Sequence, residues 1–283
     1  MSYIAFTLLM IAVLGLWLHR NVWIAALSLS IVAAYFTGAL QDLAALWIAL
    51  LAALAWFYRF TREREGKALQ LFAGALLFIF ALALGLLLLP GFPRTVLVEP
   101  VVLSPGAAPY GIGVGFPKVV AGILILGLVN TARVRSSGEL AATLRSAAPV
   151  FLLTLAAVMA CALLLGYVRF DPKWTTLFLL WAPVNLLFTC LSEEAFFRGF
   201  VQHELARAIK QPKLAIAISV TASAVLFGLS HFGGGWMYVL AGTVAGFGYA
   251  YAYHRTQRIE AAMAVHFGVN AVHFLCFTYP RLA

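Results

Sequence analysis

The apolar runs of this 283-residue chain constrain its fold more than any other feature. Hydrophobic residues make up 64% of the sequence and charged residues 10%, a composition that excludes an ordinary soluble protein. A helix that spans a bilayer needs about 20 mostly apolar residues. Windows that approach or exceed this length are Tyr3 to Leu18, Val22 to Leu40, Leu43 to Phe60, Ala68 to Leu89, Phe116 to Thr131, Ala147 to Val168, Trp174 to Phe200, Leu214 to His231, Trp236 to Tyr253 and Ala261 to Tyr279. The sequence therefore predicts an all-α polytopic membrane protein with about ten transmembrane helices.

The basic residues predict how the chain is oriented, because Lys and Arg accumulate in cytoplasmic loops. With ten spans, fourteen of them fall on one side and five on the other. The five are Arg94, Lys118, Arg169, Lys173 and Arg281. This asymmetry favours an integral protein of the bacterial inner (plasma) membrane with both termini outside. The net charge of +9 is scattered over short loops and does not form one face, so no nucleic-acid partner is expected.

A polar and basic segment, Thr131 to Ala147, is predicted to form a cytoplasmic helix that divides the chain. Residues 1–140 are then transmembrane helices of unassigned role. Residues 141–283 contain nearly all of the polar groups that fall within apolar windows, so chemistry is expected there. The cysteines Cys161, Cys190 and Cys276 all lie in apolar runs and imply neither a disulfide nor a metal site.

Two adjacent carboxylates and a guanidinium lie inside the apolar run Leu187 to Phe200. Ionisable groups at membrane depth are energetically unfavourable and usually face a bundle interior or a water-filled cavity. Glu194 and Arg198 are four residues apart with the acid first, which favours an ion pair and a supporting role. Glu193 is rotated by about 100° around the helix, so we expect it to lack that partner. A carboxylate of this kind in a dry site is suited to general acid or base catalysis.

Two later apolar windows also contain polar residues. Phe227 and His231 share a helical face just before a glycine-rich turn, and His266, Asn270 and His273 follow one stripe of the last window. A lone intramembrane His or Asn more often bonds helices together than catalyses a reaction. The concentration in three windows favours chemistry, although His273 lies one turn beyond the others and is expected to be structural. The candidate catalytic set, able to activate a water and stabilise an oxyanion, is Glu193, His231, His266 and Asn270.

Read in order, these residues form three motifs. They are EExxxR (Glu193, Glu194, Arg198), FxxxH (Phe227, His231) and HxxxN (His266, Asn270). Each motif alone is weak, but three in order on separate apolar windows are specific. The set resembles the CPBP family of intramembrane proteases, which is named for CAAX prenyl proteases and bacteriocin-processing enzymes and is also called the Abi family. The resemblance covers roughly Ala147 to the end of the chain.

This resemblance implies an intramembrane endopeptidase that cuts a membrane-associated protein or peptide near its terminus. It makes Glu193 the base that activates water, with His231 assisting, and His266 with Asn270 the oxyanion hole. Glu194, Arg198 and Phe227 are taken as supporting residues. Glu193, His231 and His266 are also a ligand set of the kind that binds catalytic zinc, so zinc is left open. The absence of an H-E-x-x-H motif slightly favours a metal-free mechanism.

Two other classes of function are consistent with some of these residues. The same Glu and His residues would relay protons in a transporter, but the first four windows hold almost no ionisable group. A third class is a catalytically silent scaffold or immunity protein. If His231 is to share a site with Glu193, the chain from Val201 to about Ile218 is expected to include a segment at the membrane interface.

Overall fold

Every predicted apolar window forms a helix in the computed structural model, which describes residues 3–63, 66–130 and 132–283. The helices within these residues are α1 Tyr3–Leu18, α2 Arg20–Phe36, α3 Ala44–Arg62, α4 Lys67–Gly85, α5 Phe116–Val129, α6 Ser137–Leu164, α7 Leu177–Ala208, α8 Pro212–Leu229, α9 Trp236–Thr256 and α10 Ile259–Cys276. The predicted all-α polytopic membrane fold is confirmed.

Six of these helices are long and apolar enough to cross a membrane, counted over the described residues: α3, α4, α6, α7, α8 and α10. Three others, α1, α2 and α5, are apolar but have only 10–17 residues. The last, α9, has 21 residues but does not meet the same apolar criterion. The prediction of about ten spans thus corresponds to six clear candidates and four weaker ones.

The segment predicted as a separate cytoplasmic helix is the start of α6. Thr131 lies outside the described residues, and regular helix begins at Ser137. The Ser136 hydroxyl accepts a hydrogen bond from the Glu139 N–H at 3.1 Å, which caps the helix in the usual way. From there α6 continues for 28 residues into the apolar window. The polar sequence from Ser137 onward is therefore the first part of one long helix, and residues 132–136 precede it without regular structure.

The Pro- and Gly-rich connection between α4 and α5 contains two strands. They are β1 Thr95–Val101 and β2 Tyr110–Val114, which pair in a two-stranded sheet. The carboxy-terminal tail lies against the same connection, since the ring of Tyr279 meets that of Tyr110 at a centroid distance of 4.7 Å.

The chain divides into two compact units, each built from separate stretches of sequence. The first unit comprises Met1–Thr95, Val114–Ala132 and Leu187–Phe200, and therefore contains α1 to α5 with the middle of α7. The second unit comprises Val96–Gly113, Arg133–Leu186 and Val201–Ala283, and contains α6, α8, α9 and α10. The division at residue 140 that the sequence predicts concerns function and stays a prediction.

Close packing in each unit depends on small residues. In the first unit, a Cβ on Gly127 would lie 2.7 Å from the indole of Trp23. In the second unit, a Cβ on Gly228 would lie 2.8 Å from the Val239 carbonyl oxygen, and one on Gly246 would lie 2.9 Å from that of Ala224. Glycine at these positions lets α8 and α9 approach backbone to backbone, as is common for helices packed in a membrane.

Candidate active site

The EExxxR motif lies where the hydrogen-bonding pattern of α7 changes. The four residues Leu191–Glu194 are α-helical, and π-helical segments, Asn185–Cys190 and Ala195–Gln202, flank them on both sides. Such segments are rare, and they occur frequently at functional sites. Each extra residue in a turn rotates the following side chains around the helix, so the π-helical segments set the directions of the three motif side chains.

Glu194 and Arg198 form the ion pair that their spacing predicts. Arg198 Nη1 lies 3.3 Å from Glu194 Oε1, and both side chains are fully buried. Separating a buried pair would leave an uncompensated charge in the protein interior, so the two side chains stay together. The pair therefore holds the turn of α7 that also contains Glu193.

Glu193 has a cationic partner, contrary to the expectation from its position on the helix. The Lys118 ammonium, from the first turn of α5, donates to Glu193 Oε1. The side chain of Glu193 is 9% exposed and that of Lys118 is 34% exposed, so the pair is largely shielded from solvent. Spacing within α7 cannot show this contact, because the two residues are 75 positions apart.

Two further contacts bring α5 against the same part of α7. Gly122 lies one turn after Lys118, and a Cβ there would be 2.8 Å from Ser192 Cα. The Asn130 side-chain amide donates to the Gly199 carbonyl oxygen at 2.9 Å. All of these residues belong to the first unit. The carboxylate of Glu193 is thus supported by a second helix as well as its own.

The FxxxH spacing has a direct structural role in the second unit. His231 follows the end of α8, and its Nδ1 lies 2.7 Å from the backbone oxygen of Phe227. A carbonyl oxygen can only accept, so Nδ1 carries the ring proton in this contact. In the neutral imidazole Nε2 is then the basic nitrogen, able to accept a proton.

His266 lies in an aromatic cluster with Phe227 and Tyr249. The Tyr249 ring is stacked on the imidazole at a centroid distance of 4.4 Å and an interplanar angle of 14°. The ring of Phe227 meets His266 edge to face at 5.5 Å and contacts His231 at 4.7 Å. The second unit therefore places both motif histidines around one phenylalanine. This explains why an aromatic residue precedes His231 by four positions.

Asn270 lies one turn after His266 on α10. Its Nδ2 is 3.3 Å from Oδ1 of Asn185, a residue in the first π-helical segment of α7 and also part of the second unit. His273 lies within 3.3 Å of the Thr278 carbonyl oxygen and packs against Tyr279. Those contacts agree with the structural role expected for His273.

Within the described residues, no group of three or more His, Cys, Asp or Glu side chains is arranged to hold a metal ion. The zinc set of Glu193, His231 and His266 therefore stays a prediction. Residues 193, 194 and 198 belong to the first unit, and residues 227, 231, 266 and 270 belong to the second.

A comparison with known protein families finds one match. Residues 173–272 match the family described as Type II CAAX prenyl endopeptidase Rce1-like. The match covers about a third of the chain. It includes all three motifs and agrees with the resemblance to CPBP proteases. No curated protein matches the chain, and no solved structure matches it.

The Rce1-like match supports an intramembrane protease in general, and the apolar helices indicate an integral membrane protein. Its substrate is accordingly a protein or peptide. Sequence reasoning missed three neighbours of the motif residues: Lys118, Tyr249 and Asn185. A signal existed for Lys118, because it is the only charged residue between Phe116 and Asn130.

Proposed function

We propose that the protein is an endopeptidase that hydrolyses a peptide bond near the terminus of a membrane-associated protein or peptide. The observation that carries this proposal is the Rce1-like match, because it includes a buried carboxylate, two imidazoles and an amide in the order of the family motifs. Those groups can supply a base, a proton carrier and hydrogen-bond donors.

In the proposed reaction, Glu193 takes a proton from water while the water oxygen bonds to the scissile carbonyl carbon. The carbonyl oxygen becomes an oxyanion, which His266 and the Asn270 amide stabilise by donating hydrogen bonds. When the C–N bond breaks, Glu193 passes the proton it took from water to the leaving nitrogen, and a carboxylate and an amine are the products. His231 assists through Nε2 as a proton acceptor, since the Phe227 carbonyl engages its Nδ1–H.

In this scheme the supporting residues hold the catalytic side chains in position. Arg198 holds Glu194 and with it the motif turn of α7. Phe227 contacts both imidazole rings and limits their rotation. Because catalysis depends on alignment to a fraction of an ångström, such packing contributes to rate without touching the substrate.

The experiment that tests the proposal compares protein termini in membranes from cells that contain wild-type or Glu193→Gln protein. We expect a set of new termini in the wild type that is lost in the variant, while both proteins accumulate equally. Glu63→Gln is the control, since Glu63 pairs with Arg59 at an exposed position. Equal termini in wild type and Glu193→Gln would refute the proposal, and altered ion flux without proteolysis would instead support a transporter.

Orientation is the second part of the proposal. The distribution of basic residues favours both termini outside in a bacterial inner membrane. Two of the counted residues, Lys118 and Arg198, lie within apolar windows and pair with Glu193 and Glu194. Leaving them out gives a loop count of 13 and 4 instead of 14 and 5. The asymmetry is preserved. A reporter that is active only outside the cytoplasm should be active when fused after Ala283, and an inactive fusion that accumulates normally would reverse the orientation.

A further inference from the structure

Lys118 lies in a stretch of sequence where a charge is energetically unfavourable. Lys118 is the only charged residue from Phe116 to Asn130. Most side chains of α5 are buried. An ammonium in such surroundings needs an opposite charge or a polar environment. The structure supplies the opposite charge, because the ammonium donates to the carboxylate of Glu193.

The contact is fixed by the packing of α5. Lys118 and Gly122 are four residues apart and therefore share one face of the helix. The backbone of Gly122 lies against Ser192, the residue that precedes Glu193. At the far end of α5, Asn130 bonds to the Gly199 carbonyl oxygen. With α5 held at Gly122 and at Asn130, Lys118 has little freedom to move along α7.

We infer that Lys118 is a positioning residue of the proposed protease, which holds the Glu193 side chain in one orientation and compensates its negative charge. This inference rests on the function proposed for Glu193. A general base must be aligned closely with the water it activates, so a partner that restrains the Glu193 side chain contributes to rate. Lys118 lies outside residues 173–272, so the first half of the chain contributes directly to the candidate active site.

The test measures cleavage of a peptide that carries one of the termini lost in Glu193→Gln membranes, with purified protein in detergent. Lys118→Met keeps the length of the side chain and removes its charge. We expect kcat to fall by about 10- to 100-fold with little change in KM, because the base is misplaced while substrate binding is retained. Lys118→Arg restores a cation and should recover most of kcat.

Two controls separate positioning from a loss of folding. Lys67→Met removes an exposed lysine from the first turn of α4 and should leave kcat unchanged. Unfolding temperature and elution from a sizing column are measured for every variant. If Lys118→Met does not fold, Lys118→Gln takes its place in the comparison with Lys118→Arg.

The outcomes distinguish this inference from the proposed function. Cleavage by Glu193→Gln at the wild-type rate refutes the proposed function. An inactive Glu193→Gln together with wild-type kcat in Lys118→Met refutes only the role of Lys118. Equal losses in the Met and Arg variants, with unfolding temperatures unchanged, also refute it, because a charge partner should be replaced better by arginine.

Discussion

His231 Nδ1 and the backbone oxygen of Phe227 lie 2.7 Å apart, so the FxxxH spacing determines which nitrogen of the ring is basic. In an α-helix the side chain at position i + 4 lies near the carbonyl of position i at the helix end. His231 lies two residues beyond the end of α8 and reaches the carbonyl of Phe227 from there. The motif thus fixes both the place and the tautomer of the imidazole.

Replacing His231 by Asn tests this assignment. The asparagine amide can still donate to the Phe227 carbonyl, but it has no counterpart of the basic Nε2. We expect the variant to fold like the wild type and to lose about 100-fold or more in kcat. Activity and unfolding temperature are compared with those of His254→Asn, a change near the end of α9 where no catalytic role is assigned. Wild-type activity in His231→Asn would show that Nε2 takes no part.

Tyr249 provides a second prediction, because its ring covers one face of His266. Tyr249→Leu removes the stacked ring, and stacking between aromatic rings contributes about 0.5–1.5 kcal/mol. We expect activity to fall more in Tyr249→Leu than in Tyr249→Phe, which keeps the ring. Tyr251→Leu on the exposed side of α9 serves as the control. The prediction is wrong if the Phe and Leu variants lose activity equally while remaining folded.

The helices themselves could be predicted from the sequence, because apolar windows of sufficient length have few alternatives in a membrane. Their ends were less predictable. The second window was expected to reach Leu40, yet α2 ends at Phe36, and Gly38 follows with φ of +72°. A residue in the left-handed region ends a helix, and glycine adopts this conformation readily.

An interfacial position for the chain between Val201 and about Ile218 stays a prediction, and the structure shows only where the helices in this stretch end and begin. Residues 201–208 extend α7 as one continuous helix, because neither Gly nor Pro occurs among them. The chain is extended at Ile209 and at Gln211, and α8 begins at Pro212. A residue that precedes a proline disfavours the helical backbone conformation, which explains why the chain is not helical immediately before Pro212.

The contacts of the candidate site were also predictable only in part. Contacts within one helix follow from sequence spacing, whereas contacts between helices do not. Spacing along one helix predicted the Glu194–Arg198 pair, and it is present. Helical spacing gives no information on the partner of Glu193, because Lys118 comes from another helix. The available signal is that Lys118 is a lone charge in an apolar window, and such a charge usually faces the interior of a helix bundle.

Gly122 should be sensitive to the smallest added side chain. A Cβ at this position would lie 2.8 Å from Ser192 Cα, so Gly122→Ala forces α5 away from α7. Overpacking of this kind costs about 1–3 kcal/mol, and the displacement should also reduce activity by moving Lys118. Gly85→Ala in α4 is the control, because nothing lies within 4 Å of its added Cβ. Equal unfolding temperatures and activities for the two variants would contradict this packing.

Metal dependence can be decided with purified protein. The proposed reaction activates water with a glutamate and imidazoles and uses no metal ion. We therefore expect cleavage to continue after treatment with a chelator such as 1,10-phenanthroline. Metal content is measured on the same sample by mass spectrometry. Loss of activity on chelation with recovery on adding zinc would overturn the metal-free scheme and favour zinc bound by Glu193, His231 and His266.

The Glu194–Arg198 pair should contribute to stability far more than its exposed counterpart in α3. Arg198→Met leaves the Glu194 carboxylate buried without its guanidinium, a change that destabilises by about 3–5 kcal/mol. Arg59→Met breaks the Arg59–Glu63 pair, which has the same spacing but is exposed, and should cost about 0–1 kcal/mol. Unfolding by denaturant in detergent measures both. The double variant Glu194→Gln, Arg198→Met should regain part of the loss, because no buried charge is left uncompensated. A double variant less stable than Arg198→Met alone would show that Glu194 is stabilised mainly by groups other than Arg198.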